Sequence, residues 1–467
     1  MDQCEQMLRR LGAQLPGRLS RPGDDRYAAA MAIWAMPIGV APRVVVHCRT
    51  AQDVQAAVRA ARDSDLPLSV RGGGHDWARR ALCDGIVIDL SGMNGVVVDP
   101  DKHIALISGG ARASDVAAVA DRLGLAAVSG SVGCVGMAGL TLGGGYGPLI
   151  ARFGLALDNL LAAEVVLADG RIVTAGAGGE EELFWALRGG GGNFGVVTAM
   201  HHRLHQVPSV RSGILFYPFS EAKAVLQGCV DRMASLPEDL TVQLGFVMGP
   251  NGKPVVIVVP TWSGAPEEGE ARVGPFLNLG TLLAGDVEAT AYGVSLNAFA
   301  PYIVNGLRTF METCSLPTLD SGSIDLMIQA METAVGPGCA IFTHEFRGAA
   351  SRVPEEATAF GLRRDHTLIE ILAQLPDPWN ELSEHQHQQW AKATLRSFGA
   401  MALPGGYPNL LTAGDADRVA KSYGYNAGRL IKAKRHYDPD NVFRSATPLP
   451  NGQHHRRASL YQAAEAL

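Results

Sequence analysis

Charge is scarce in this sequence. Asp, Glu, Lys and Arg make up 18% of its 467 residues, the net charge is only −6, and no basic stripe stands out. Nucleic acid and anionic membrane surfaces are therefore poor partners, since both are held by clustered Lys and Arg. The seven cysteines (Cys4, Cys48, Cys83, Cys134, Cys229, Cys314 and Cys339) are odd in number, scattered and free of any C-x-x-C pair. That argues against a disulfide frame and suits thiols in a reducing cytosol, so a cytoplasmic location is expected. The opening "MDQCEQMLRRLGAQLPGRLSRPGDD" has no apolar core of the secretory kind. No G-x-x-x-x-G-K-[ST] occurs, which excludes a P-loop, and no G-x-S-x-G supports a serine hydrolase. Histidines gather at His201, His202 and His205, at His385 and His387, and at His454 and His455, without metal-site spacing. Arg203 would share a strand face with His201 and His205, a poor setting for a cation, and no metal is expected.

A charge-free run, Leu123 to Ala151, imitates a membrane span but holds nine glycines. Glycine at that density makes a poor helix, and a span needs roughly 20 mostly apolar helical residues. Backbone pressed against a ligand is the better reading.

Length predicts two or three domains. Residues 41–210 alternate short strands and helices. "RVVVHC" reads as a strand, "TAQDVQAAVRAARDSDLP" as a helix capped by Thr50, and "LPLSV" as the next strand. Hairpins are predicted around Asp99–Lys102 and at the Asp-Gly of "AAEVVLADGRIVTA". Residues 211–400 read as a second unit of strands and long helices, and the tail as two helices ending at Pro439. The fold class is α+β.

Glycine is abundant, at 55 residues, and three clusters stand out: Gly72–Gly74, Gly143–Gly145 and Gly189–Gly192. Such loops let backbone N–H groups approach phosphates, or they merely turn. Gly190, Gly192 and Gly195 satisfy G-x-G-x-x-G, but a helix precedes them and a strand follows, the reverse of a dinucleotide fingerprint. His75 leaves the first cluster directly, as a turn neighbour or as a ligand contact.

Four long motifs carry a resemblance: "SVRGGGHDWARRALCDGIVIDLSGMN", "GMAGLTLGGGYGPLIARFGLALDNLLAAEVVLADGRIVTA", "ELFWALRGGGGNFGVVTA" and "YGYNAGRLIKAKRHYDPDNVF". In this order the chain resembles FAD-linked oxidases of the vanillyl alcohol oxidase/p-cresol methylhydroxylase fold, in the berberine bridge enzyme-like branch. The resemblance implies a two-part FAD-binding domain at 1–207 (core 41–207). It also implies a substrate domain of antiparallel sheet covered by helices at 208–404, and a segment at 405–467 that returns to the FAD domain.

Residue by residue, the resemblance implies that Arg71, Gly72, Gly73 and Gly74 wrap the FAD pyrophosphate and that His75 bonds the flavin. Gly130, Ser131, Val132, Gly133, Val135, Gly136 and Gly139 would line the pyrophosphate and the ring edge. Asn193, Gly195, Val196 and Val197 would run toward the adenine. Many relatives carry a second flavin-bonding cysteine where Val132 stands here. Cys134 lies two residues on, so attachment through His75 only is expected, with Cys134 a loop residue. Val135 occupies the position that governs oxygen access and resembles oxygen-reactive members.

The resemblance further makes Tyr407 and Asn409, of "GGYPNLL", cofactor-site and catalytic candidates. On the strand "AIFTHEFRGAA", alternation sets Phe342, His344 and Phe346 against Thr343, Glu345 and Arg347. Glu345 is the candidate base or amine anchor, or else an ion-pair partner of Arg347, and Tyr146 is a candidate substrate wall. The expected activity is hydride transfer from a small organic substrate (alcohol, amine or natural-product intermediate) to FAD, with molecular oxygen as acceptor. A dehydrogenase or oxidative cyclase on the same scaffold is the alternative.

Overall fold

The computed structural model describes residues 3–450 except Ala413; His454, His455 and the rest of the tail lie outside these. Three sheets organise the chain. The first has the order Leu19–Ser20, Val44–His47, Ile86–Asp89, Leu68–Arg71, and its last three strands are parallel. The crossover is the helix Ala51–Asp63, whose N-cap Thr50 accepts from the Asp53 N–H at 3.1 Å. Val54, Ala57, Val58 and Ala61 of that helix bury against Val44, Val46, Ile86 and Ile88.

The second sheet is antiparallel, in the order Val96–Asp99, Ile104–Ser108, Val196–Gln206, Leu160–Val166, Ile172–Gly176. Both predicted hairpins belong to it. The charge-free run folds into the short strand Leu125–Ala127, a loop, and the seven-residue helix Met137–Gly143. Its apolar side chains fill a core with the returning tail helix Ala427–Tyr437, which contributes Leu430 and Ala433.

The third sheet is also antiparallel and lies at 210–375. Its long strands run in the order Pro254–Trp262, Leu240–Met248, Gly338–Phe346, His366–Leu375 and, at the edge, Arg308–Leu316. Strand periodicity gives it two unlike faces. Ile341, Ile369, Ile371 and Ala373 pack under the helices Ala222–Met233, Ser321–Glu332 and Glu381–Phe398. Ala340, Leu372 and Met311 turn the other way and meet Trp34, from the N-terminal part of the chain. None of the seven cysteines forms a disulfide. Among the described residues, no helix is long and apolar enough to cross a membrane, and no metal-like group of His, Cys, Asp or Glu forms.

Candidate active site

A cavity of about 440 Å³ opens between the two glycine-rich sheets and the uncovered face of the third. Gly72–Trp77, Gly130–Val132, Val135–Gly136, Gly191–Gly192, Gly195–Val197, Tyr407, Asn409 and Phe443 with Ser445–Thr447 form one side. Gln243, Phe342, His344, Leu368, Glu370, Leu372 and Gln374 form the other.

His75 is held on its face and at its edge. Its ring stacks on Trp34 with centroids 4.6 Å apart and planes 12° from parallel. The Trp34 N–H donates to Gly74 O at 2.9 Å, and Cys134 Sγ lies 3.7 Å from His75 Nδ1. Burial pushes the His75 ring down to about 4, so it is neutral at pH 7 and keeps one nitrogen lone pair. Burial also raises the Cys134 thiol, which stays protonated. Val132 lies on the cavity wall and Cys134 does not.

The attachment loop and the loop after residue 130 touch at glycine. A Cβ on Gly73 would stand 2.5 Å from the Gly136 backbone, and one on Gly136 would stand 2.5 Å from Gly73 N. Gly72 and Gly139 instead border open space: the nearest atom to a Gly72 Cβ is Gly109 O at 3.6 Å, and nothing lies within 4 Å at Gly139. Turn and cradle are thus divided between neighbouring glycines.

The second cluster does different work from the expected cradle. A Cβ at Gly143 would meet Asn409 Oδ1 at 2.0 Å, and one at Gly144 would meet Tyr407 Cε2 at 2.6 Å. Gly143–Gly145 is the seat of the Tyr407–Asn409 pair. The Gly145 N–H and Asn409 Nδ2 donate to the Tyr407 phenolic oxygen at 2.9 and 3.0 Å. Burial nonetheless raises the Tyr407 pKa above 10, outweighing these two bonds. Tyr407 therefore keeps its proton and presents an O–H donor. Tyr146 packs on it at 4.6 Å and shares its own hydroxyl with His366 Nε2 at 2.8 Å. His366 Nδ1 donates to Arg364 O at 2.7 Å, which leaves Nε2 as the acceptor.

Four expected residues take other places. The Arg71 side chain is not on the wall: it pairs with Asp89 at 3.0 Å, both buried. Asn193 is buried off the wall, donating to Gly190 O and Thr447 O at 2.8 and 2.7 Å. Gly133 also leaves the wall, its N–H donating to Leu296 O at 2.9 Å. Glu345 faces away from the cavity. Strands Leu240–Met248 and Gly338–Phe346 pair only at two positions. Beyond them, Thr343 Oγ1 and Glu345 Oε2 accept from Leu244 N and Val242 N at 2.9 and 3.0 Å. Glu345 thus replaces a missing ladder bond and pairs with Arg347 at 3.4 Å.

On the facing sheet, one strand over, Glu370 does reach the cavity, with Oε2 3.2 Å from His344 Nε2, whereas the other carboxylate on the wall, Asp76, is taken up by the Ala78 and Ala81 N–H groups at 3.0 and 2.6 Å. Glu370 is the one charged residue in the apolar strand "TLIEILAQL", and period-two alternation sets it beside Leu368, Leu372 and Gln374 on the cavity face. That isolated carboxylate is the signal that sequence reasoning passed over. Trp34, Trp77 and the 443–447 wall carried none.

A family model described as FAD binding domain matches residues 42–176, and one described as berberine and berberine like matches residues 398–450. The chain is 30% identical over 446 residues to an FAD-linked oxidoreductase of Bacillus subtilis, covering 94% of this chain and 98% of that one. It is also 30% identical over 446 residues to (R)-6-hydroxynicotine oxidase of Paenarthrobacter nicotinovorans, covering 92% and 96%. The crystal structure of 6-hydroxy-D-nicotine oxidase from Arthrobacter nicotinovorans superposes with a TM-score of 0.82 at 27% identity, over 93% of this chain and 98% of that one.

Proposed function

The chain belongs to the berberine bridge enzyme-like FAD-linked oxidoreductases, and we propose that it is an oxidase whose FAD lies in the 440 Å³ cavity, bonded through His75 only. The residues present suit that group. Gly72 and Gly139 leave room that a side chain would fill, so backbone can approach a diphosphate. His75 is neutral and nucleophilic, and Val132 offers no second bond. Bound there, FAD supplies the two-electron acceptor chemistry.

The chain's own groups supply the rest. Glu370 takes the proton from the substrate O–H or N–H, and His344 Nε2, at 3.2 Å, holds that carboxylate in place. Tyr407 donates its hydroxyl to the substrate heteroatom. Trp34, Phe299, Ile303, Met311, Phe342 and Leu372 line the same space, which favours an apolar amine or alcohol over a free sugar. Val135 on the wall supports molecular oxygen as the acceptor. The observation that carries this reading is the neutral His75 and the Glu370–His344 pair facing one cavity.

The test is anaerobic mixing with N-methylbenzylamine, 6-hydroxynicotine, 1-phenylethanol and cellobiose. Bleaching of the flavin band by an amine or aryl alcohol, with stoichiometric hydrogen peroxide once air is admitted, is the expected result. Bleaching by cellobiose alone overturns the substrate class. Bleaching without peroxide selects a dehydrogenase.

A further inference from the structure

The three parallel strands of the small sheet end in one register row, His47, Asp89 and Arg71. Side chains on such a row stand about 4.8 Å apart and touch. His47 Nδ1 lies 3.0 Å from Asp89 Oδ2, and Arg71 Nη1 donates to Asp89 Oδ1 at 3.0 Å. At the far end His47 Nε2 meets Ser20 Oγ at 2.7 Å, and Ser91 donates to Asp89 through its N–H and hydroxyl at 3.1 and 2.9 Å. Burial raises the Asp89 pKa, but the His47 bond, the Arg71 charge and Ser91 bring it down to about 2. Ser20, His47 and Asp89 have the order of a hydrolytic triad, yet Ser20 is 2% exposed and lines neither the main cavity nor the small pocket beside it.

The row leads instead to His75. The Arg71 guanidinium lies beneath Gly74, where a Cβ would stand 3.3 Å from Nη2, and Gly74 has φ +76°. Arg71 Nη2 also donates to Ala32 O at 3.5 Å, two residues before the Trp34 that stacks on His75. One guanidinium thereby underlies both the loop that carries the ring and the segment that covers it.

We propose that Asp89 and His47 are positioning residues that, through Arg71, fix the His75 loop and set the rate at which His75 bonds FAD. This rests on attachment through His75. Attachment forms a bond from an imidazole nitrogen to the 8-methyl carbon of the isoalloxazine. One hydrogen from the imidazole and one from the methyl, with two electrons, pass to the flavin, and dissolved oxygen removes them as hydrogen peroxide. The clamp's part is to keep the ring aimed while this occurs. Loosening it reduces the fraction of time spent in reactive geometry.

The test follows covalent and released flavin in the full-length chain during incubation with FAD in air, by fluorescence of the acid precipitate and its supernatant. His47→Leu removes the ring and keeps both members of the Asp89–Arg71 pair. It and Arg71→Lys are expected to take up FAD in normal amount but attach it on the order of tenfold more slowly. Asp89→Asn is expected to be slower still, and His47→Gln, which restores a donor toward Asp89, to recover most of the rate. Loss of FAD uptake and attachment in equal proportion would mean a purely structural role and would overturn the proposal. So would natural attachment rates in His47→Leu and Arg71→Lys. Flavin released wholly from the natural chain would instead bring down the His75 reading itself, and this inference with it.

Discussion

Adding one methyl group at neighbouring glycines separates the two uses of the first glycine cluster. In Gly73→Ala the new Cβ stands 2.5 Å from Gly136 Cα and N, whereas carbon atoms rest at about 3.5–4.0 Å. Both partners are backbone, so the two loops must part by about 1 Å. Overpacking of this kind costs about 1–3 kcal/mol, which for a domain of this size lowers the melting temperature by roughly 2–12 °C. The same displacement of His75 slows flavin attachment on the order of a hundredfold. In Gly72→Ala the nearest protein atom is 3.6 Å away, and in Gly139→Ala there is none within 4 Å. The flavin-free forms of these two are expected to melt as the natural chain does. Their methyl groups enter the cradle, however, and should weaken FAD binding by about 10–100-fold. Melting of the flavin-free chain by circular dichroism, with FAD titration by tryptophan quenching, reads both effects. A Gly73→Ala chain that melts normally, or a Gly72→Ala chain that binds FAD normally, would refute the division into contact and cradle.

Glu370→Gln is expected to keep its flavin while substrate bleaches it about 10²–10⁴-fold more slowly, and Glu345→Gln to bleach at nearly the natural rate with lowered stability; stopped-flow absorbance distinguishes them. Tyr407→Phe leaves the Gly145 N–H and Asn409 Nδ2 without their acceptor, a cost of about 1–3 kcal/mol visible in urea unfolding, with covalent flavin retained. Burial holds His202 and His366, 0% and 4% exposed, near a pKa of about 4. The unfolded chain protonates them near 6.5, so it binds more protons between these values. Stability is full above about 6.5 and falls as pH drops toward 4, by at most about 1.4 kcal/mol per pH unit for each ring. Urea midpoints that stay level from pH 7 to 4.5 would contradict this.

The strands and helices of the first half were legible because their signals are local. Thr50 three residues before Asp53 announces a cap, and Asp169-Gly170 announces a turn. His75 was legible as a polar ring on a glycine loop. The misplacements share one cause: the partner of a residue lies far along the chain. Gly143–Gly145 looks like a phosphate loop until Tyr407 and Asn409, more than 260 residues later, are seen to occupy the space. Glu345 and Glu370 both alternate on amphipathic strands. Alternation sets Glu345 on the face opposite His344, and what occupies it there is the N–H freed by the divergence of the strand Leu240–Met248, which no local pattern announces. Arg71 reads as a phosphate ligand beside glycines, but the register that sets it against Asp89 is a property of the sheet.

The most direct measurement is denaturing gel electrophoresis of the purified chain under ultraviolet light, beside His75→Ala. Flavin fluorescence that migrates with the natural polypeptide and is absent from His75→Ala is the expected result, with Cys134→Ala retaining it. Flavin that washes out of the natural chain on denaturation, or that stays with His75→Ala, would contradict attachment at this loop.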